Sequence, residues 1–105
     1  MDLLQRTATA LDRWGNTADE VAMTLKATGI TAVRHTARFL NPIVRYVQTE
    51  IREPRNMDVI KGDRLSITFP DGRKEEVPLP KAVMEFHDAF NRGTYFELLS
   101  RVDEL

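Results

Sequence analysis

The chain contains no cysteine. That excludes disulfides, thiolate zinc sites, iron–sulfur clusters and thiol catalysis, and it is compatible with a reducing, cytoplasmic home. Long apolar runs are also missing. No stretch approaches the about 18 residues that a membrane span needs. The opening MDLLQRTATALDRW carries an acid at position 2 and basic residues inside its apolar stretch, which is wrong for a signal peptide. Neither sign of charge dominates: 15 basic residues face 16 acidic ones, for a net charge of −1. The chain as a whole therefore exerts no pull toward nucleic acid or anionic lipid, and it offers little repulsion against self-association.

What is present fits one folded domain. The sequence has 105 residues, of which 42% are hydrophobic and 30% charged. A chain of this length and balance can bury a core without covalent staples. The expected class is α+β: an N-terminal bundle of about four helices, a small antiparallel hairpin or three-stranded meander, and two C-terminal helices. The helical part covers 1–53 and the hairpin with its C-terminal helices 57–105, with a short hinge between them.

Periodicity and caps place these elements. Leu4, Ala8, Leu11 and Trp14 form one stripe of a first helix, stopped by Gly15 and Asn16. Thr17-Ala18-Asp19-Glu20 reads as a capping box for a second helix that buries Ala18, Val21, Ala22 and Leu25 and closes at Gly29. The spacing of Ile30, Val33, Ala37 and Leu40 predicts a short third helix. Asn41-Pro42 restarts the chain with a good cap and a proline at the first helical position. That fourth helix buries Ile43, Val44, Val47 and Ile51. The period then changes to two. Leu65, Ile67 and Phe69 alternate along a strand, Pro70-Asp71-Gly72-Arg73 turns, and Lys74 to Leu79 returns as an edge strand marked by Pro78. Met57 to Ile60 supplies a third strand. Pro80 opens a fifth helix burying Val83, Phe86, Ala89 and Phe90. Thr94-Tyr95-Phe96-Glu97 reads as a second capping box, opening a last helix.

Charge is unevenly spread along the chain. Residues 26–55 carry net +4 and residues 85–105 net −3. Arg34, Arg38, Arg45 and Arg52, with His35 beside the first pair, are the candidate contacts for phosphate or for an acidic partner surface, because each pair would project to one side of its helix. The competing reading is a solvated face that pairs with Glu97, Asp103 and Glu104. The second and third helices invite comparison with helix-turn-helix readers of DNA, although the third lacks the Asn and Gln that usually accompany arginine in base readout.

Candidates for chemistry are few. His35 and His87 are the only histidines. His87 and Asp88 are neighbours that cannot face one another on a helix, and His35 sits among cations that oppose a metal. No metal site, cofactor site or catalytic set is therefore assigned. Asp19-Glu20 and Glu75-Glu76 read as a cap and as hairpin charges. Phe86, Phe90, Tyr95 and Phe96 read as core, with an exposed partner surface as the alternative. Trp14, near a helix end, suits either the core or a dimer interface.

Several of these pieces together resemble a group of small bacterial proteins, mostly actinobacterial, of unknown function. The resemblance rests on Gly15 to Ala22, Leu25 and Gly29-Ile30, on Phe69-Pro70-Asp71-Gly72 and Leu79-Pro80, and on Phe86, Phe90, Gly93, Tyr95 and Leu98. A Cys-Pro-Ile/Leu-Ala-x-Tyr-Leu segment of that group corresponds here to Asn41-Pro42-Ile43-Val44-Arg45-Tyr46-Val47. The resemblance implies a compact stand-alone protein and no particular activity. Asn41 stands where cysteine is common, so thiol chemistry of such relatives is not expected here, and position 41 is free to cap a helix.

The expected function is a small non-enzymatic interaction module that binds a protein partner or itself. The alternative is a nucleic-acid-binding regulator that uses the basic face at 26–55. No membrane partner is expected.

Overall fold

The computed structural model describes residues 2–36, 40–52, 54 and 56–100. It is an α+β fold with four α-helices and a three-stranded antiparallel sheet: α1 (Leu3–Asp12), α2 (Ala18–Thr28), α3 (Pro42–Glu50), β1 (Asn56–Ile60), β2 (Arg64–Thr68), β3 (Lys74–Pro78), α4 (Lys81–Asn91) and a 3₁₀ turn (Phe96–Leu98). Among the described residues no helix is long and apolar enough to cross a membrane.

Capping explains where the helices begin. Asp2 and Gln5 form a reciprocal box, with the Gln5 amide donating to Asp2 Oδ1 at 2.8 Å and the Asp2 amide to Gln5 Oε1 at 3.2 Å. At the start of α2 the Glu20 amide donates to Thr17 Oγ1. Gly29 ends α2 at φ +77°, and the Ile30 amide reaches back to the Leu25 carbonyl. Asn41 caps α3, with Pro42 at the first helical position.

The sheet runs in the order β1-β2-β3, so β3 is the edge strand that Pro78 indicated. Ile67 lies between Met57 and Glu75, and Leu65 between Val59 and Val77. This register gathers Met57, Val59, Leu65, Ile67 and Val77 on one face, all buried. α1 packs on β3 and α3 on β1, while α2 and α4 pack on each other.

Trp14 lies past the end of α1 and is core, not interface: it is 2% exposed, stacked on Tyr46 at 4.1 Å and 11°, and its Nε1 donates to the Val21 carbonyl at 3.0 Å. The turn that delivers it there needs Gly15. A Cβ at that position would stand 2.9 Å from both Glu20 Cβ and the Val21 nitrogen. The latter is backbone, so the turn itself would have to move. Gly15→Ala should cost about 1–2 kcal/mol, read from the shift in urea midpoint. An unchanged midpoint would mean the turn relaxes freely.

Among the described residues, two of the expected helices are not formed as such. The described part of the stretch from Ile30 to Leu40 is not helical. Instead Ala32 makes a parallel bridge with Leu99: its amide donates to the Leu98 carbonyl at 2.8 Å, and its carbonyl accepts from the Ser100 amide at 2.9 Å. The stretch opens with Ile30, Thr31 and Val33, β-branched residues that lose rotamer freedom in a helix. Remote groups then take up the backbone atoms that a helix would have used. The His35 amide donates to Asn91 Oδ1, the Thr31 carbonyl accepts from Arg45, and the Thr36 carbonyl accepts from Asn41. The last helix is reduced to the turn Phe96–Leu98. Gly93 at φ +116° and Tyr95 at φ +60° break the chain there, and the Thr94 carbonyl is taken by Arg34. The part of that expected helix beyond Ser100 lies outside the described residues.

Candidate functional site

The expected arginine face divides into separate roles. Arg34 lies in the turn after the Ala32 bridge and is half-buried. Its Nε donates to the Phe90 carbonyl at 2.5 Å and its Nη2 to the Thr94 carbonyl at 3.2 Å, and the guanidinium stands 5.3 Å from the Phe90 ring centre. The fork therefore closes the C-terminal end of α4, where a cation is favoured by the helix dipole. Arg45 projects from α3 and donates through Nη1 to the Thr31 carbonyl at 2.6 Å. Both side chains bind carbonyls inside the fold. His35 is exposed at φ +59°. Arg52 is exposed just beyond α3. Arg38 lies outside the described residues, as do Asp103 and Glu104, two of the acids considered as partners for this set.

A different surface draws together residues that the sequence reading had kept apart. Asp19, Ala22, Met23 and Lys26 of α2 line a groove of about 300 Å³ with Tyr95 and Glu97. Met23 is 68% exposed, and Phe96, between the two C-terminal residues of the groove, is 75% exposed. These are the large hydrophobic side chains most open to solvent among the described residues. Tyr95 builds the far wall. Its hydroxyl donates to Asp19 Oδ1 at 2.6 Å, and its ring packs on Phe86 at 5.4 Å. Burial first, then the bond to Asp19, pushes the Tyr95 phenol up to about 12. It keeps its proton, and the tie persists across ordinary pH. A bulky residue at φ +60° is rare and held against strain. Here the Phe86 contact and the Asp19 bond hold it.

The two histidines do not meet a carboxylate cluster. Among the described residues no group of three His, Asp or Glu side chains converges on one point. His87 is buried at 8% exposure, and its Nε2 lies 2.9 Å from Asn41 Nδ2. Burial pushes its pKa down, against a smaller upward pull from Asp88. A second cleft, between α1 and α3, is lined by Arg6, Thr9, Arg13, Tyr46 and Glu50 among others and has a volume of about 230 Å³.

Sequence reasoning left Met23 and the Tyr95–Asp19 tie unassigned, and its core reading of Phe96 is corrected by the structure, which exposes that ring as the alternative reading had it. One signal was available: Met23 is a large apolar residue off the buried stripe of its helix. The Tyr95–Asp19 pairing, across 76 positions, left no local trace. Comparison with family models, with curated proteins and with solved structures found no match to this chain.

Proposed function

We propose that this protein is a non-enzymatic interaction module that binds a protein partner, and that the partner its surface fits first is a second copy of itself. The observation that carries the reading is the exposure of Met23, in a groove whose rim carries both signs of charge, and of Phe96, which sits in sequence between the groove residues Tyr95 and Glu97, both more than two-thirds exposed. A two-fold contact uses the same patch on both copies, so the patch must complement itself. Apolar Met23 and Phe96 can meet their counterparts across an axis, while Lys26 of one copy faces Asp19 or Glu97 of the other. The net charge of −1 sets little repulsion against that approach.

Sedimentation velocity over a wide protein concentration range tests this. The expected result is a concentration-dependent dimer that Met23→Glu or Phe96→Glu weakens at least about tenfold, the effect of losing roughly 1.4 kcal/mol at an interface. A monomer at every concentration, with both variants indistinguishable from the parent, would remove the self-binding reading. The same samples titrated onto labelled duplex DNA should show no salt-steep binding, because Arg34 and Arg45 already donate to carbonyls. A log–log salt slope near about −0.9 per phosphate would instead favour a nucleic-acid regulator using Lys26, Arg52 and their neighbours.

A further inference from the structure

Asn41 makes four hydrogen bonds through one buried amide. Its Oδ1 accepts from the Ile43 amide at 2.8 Å and the Val44 amide at 3.4 Å, which caps α3. Its Nδ2 donates to the Thr36 carbonyl at 2.7 Å and stands 2.9 Å from His87 Nε2. The cap fixes which way the amide points, because only oxygen can accept from the two helix amides. The nitrogen must then face His87, and a nitrogen with two hydrogens can only donate. His87 Nε2 is therefore the acceptor, and the ring is neutral with its proton on Nδ1. No spare lone pair remains on Asn41 to receive a second proton from the ring.

We propose that the Asn41–His87 pair is an acid-operated latch: a proton taken up at His87 Nε2 breaks the bond to Asn41 and releases the Thr36 corner and the first turn of α3. A protonated ring aims N–H at NH₂. Turning the amide over to accept from the ring would point its nitrogen at the Ile43 and Val44 amides and undo the cap. Either way, the bond from Asn41 to His87 and the hold on the Thr36 carbonyl or on the α3 cap are lost together.

The charges around the ring do not rescue the cation. On its own helix Asp88 favours it, but Asp88 is exposed and lies 3.1 Å from Arg92 Nε. α3 presents its N-terminus, the positive end of the helix dipole, and its Arg45 reaches away to Thr31. The β1–β2 turn approaches Nδ1 at Gly62, where a Cβ would stand 3.9 Å away, and that glycine is flanked by exposed Lys61 and by exposed Asp63, whose Oδ1 is 3.4 Å from Arg64 Nε. On the 31–36 stretch, Arg34 is engaged at Phe90 and Thr94, and His35 is exposed. Burial adds to this, holding the pKa of His87 below its ordinary value.

The sign follows from linkage. A histidine whose folded pKa is depressed contributes stability that is complete above the unfolded value of about 6.5 and is lost as pH falls from there toward the folded pKa. Each pH unit in that window lowers the relevant equilibrium constant by up to about tenfold. The test is NMR on the full chain, following the His87 ring resonances and the protection factors of the Ile43 and Val44 amides from pH 8 to pH 5. The expected result is a ring that titrates below about 6.5, with the protection of both amides falling in step. His87→Gln keeps an acceptor for Asn41 that does not titrate, and should hold protection flat through this range. Asn41→Asp keeps the cap but offers the ring a carboxylate, and should move the titration upward. A ring that titrates at or above the ordinary value in the parent protein overturns the latch. So does an equal loss of protection in His87→Gln. The parent titration alone decides the matter if either variant fails to fold.

Discussion

Trp14→Ala should lower the unfolding free energy by about 3–5 kcal/mol, a large share of the roughly 5–15 kcal/mol available to a domain. The side chain is the largest in the core and is 2% exposed. It joins all four helices: it follows α1, bonds the Val21 carbonyl of α2, stacks on Tyr46 of α3 and lies 6.0 Å from Phe86 of α4. Truncation removes apolar burial, an aromatic pair and a donor to a buried carbonyl in one step. The midpoint of thermal unfolding by circular dichroism should fall by at least about 12 °C, at roughly 4–8 °C per kcal/mol. Trp14→Phe retains the stack and loses the hydrogen bond, so it should cost only about 1–3 kcal/mol of this. A fall of a few degrees for the alanine variant would mean that the aromatic cluster is loosely packed.

Arg34→Met should cost about 2–3 kcal/mol, more than surface charges usually do. The methionine keeps much of the apolar stem, so the loss isolates the guanidinium head. That head donates to two carbonyls and lies over the Phe90 ring. Hydrogen bonds from a charged donor contribute about 1.5–3 kcal/mol each when removal leaves a partner unpaired, with about 0.5–1 kcal/mol more from the ring contact. The sum is reduced because the Thr94 side of the site is exposed. Arg34→Lys should recover little, since one ammonium cannot reproduce a planar fork with two divergent N–H groups. Urea denaturation of the three proteins measures this. If Arg34→Met matches the parent within about 0.5 kcal/mol, the side chain is a surface cation of the ordinary kind.

These two residues mark the boundary between what could and could not be read from the sequence. Trp14 follows an apolar stripe, and its burial was one of two readings on offer. The strands, the Pro70–Arg73 turn and the caps at Thr17 and Asn41 were legible because each depends on neighbours within a few positions. Arg34 was legible only as a charge. Its partners are 56 and 60 positions away, and they convert an expected helix into a clamped turn. The same cause defeated the last helix, where Tyr95 is held in a left-handed conformation by Asp19 and Phe86. Asn41 was assigned its cap correctly, but its second bond, to His87, needed the tertiary structure. At the candidate surface, Met23 was visible as an apolar misfit on its helix, whereas the exposure of Phe96 stood only as the alternative to a core reading.

The Ala32–Leu99 bridge has a consequence for the order in which the chain can assemble. As the polypeptide emerges from the ribosome, α2 can close locally at Gly29, and Thr31, Val33 and Thr36 find partners soon after in Arg45, Leu40 and Asn41, but Ala32, Arg34 and His35 do not. Phe90, Asn91, Thr94, Leu98 and Ser100, which bind residues 31–35, are all made more than fifty residues later. Contacts of such long range are slow to form, because loop entropy must be spent before any bond is gained. At synthesis rates of roughly 5–20 residues per second, α1 and α2 would be complete for several seconds while Ala32, Arg34 and His35 still lack these partners. The N-terminal helices are thus finished early, and the seam that joins them to the rest of the molecule is sewn by residues 90–100, more than fifty positions downstream.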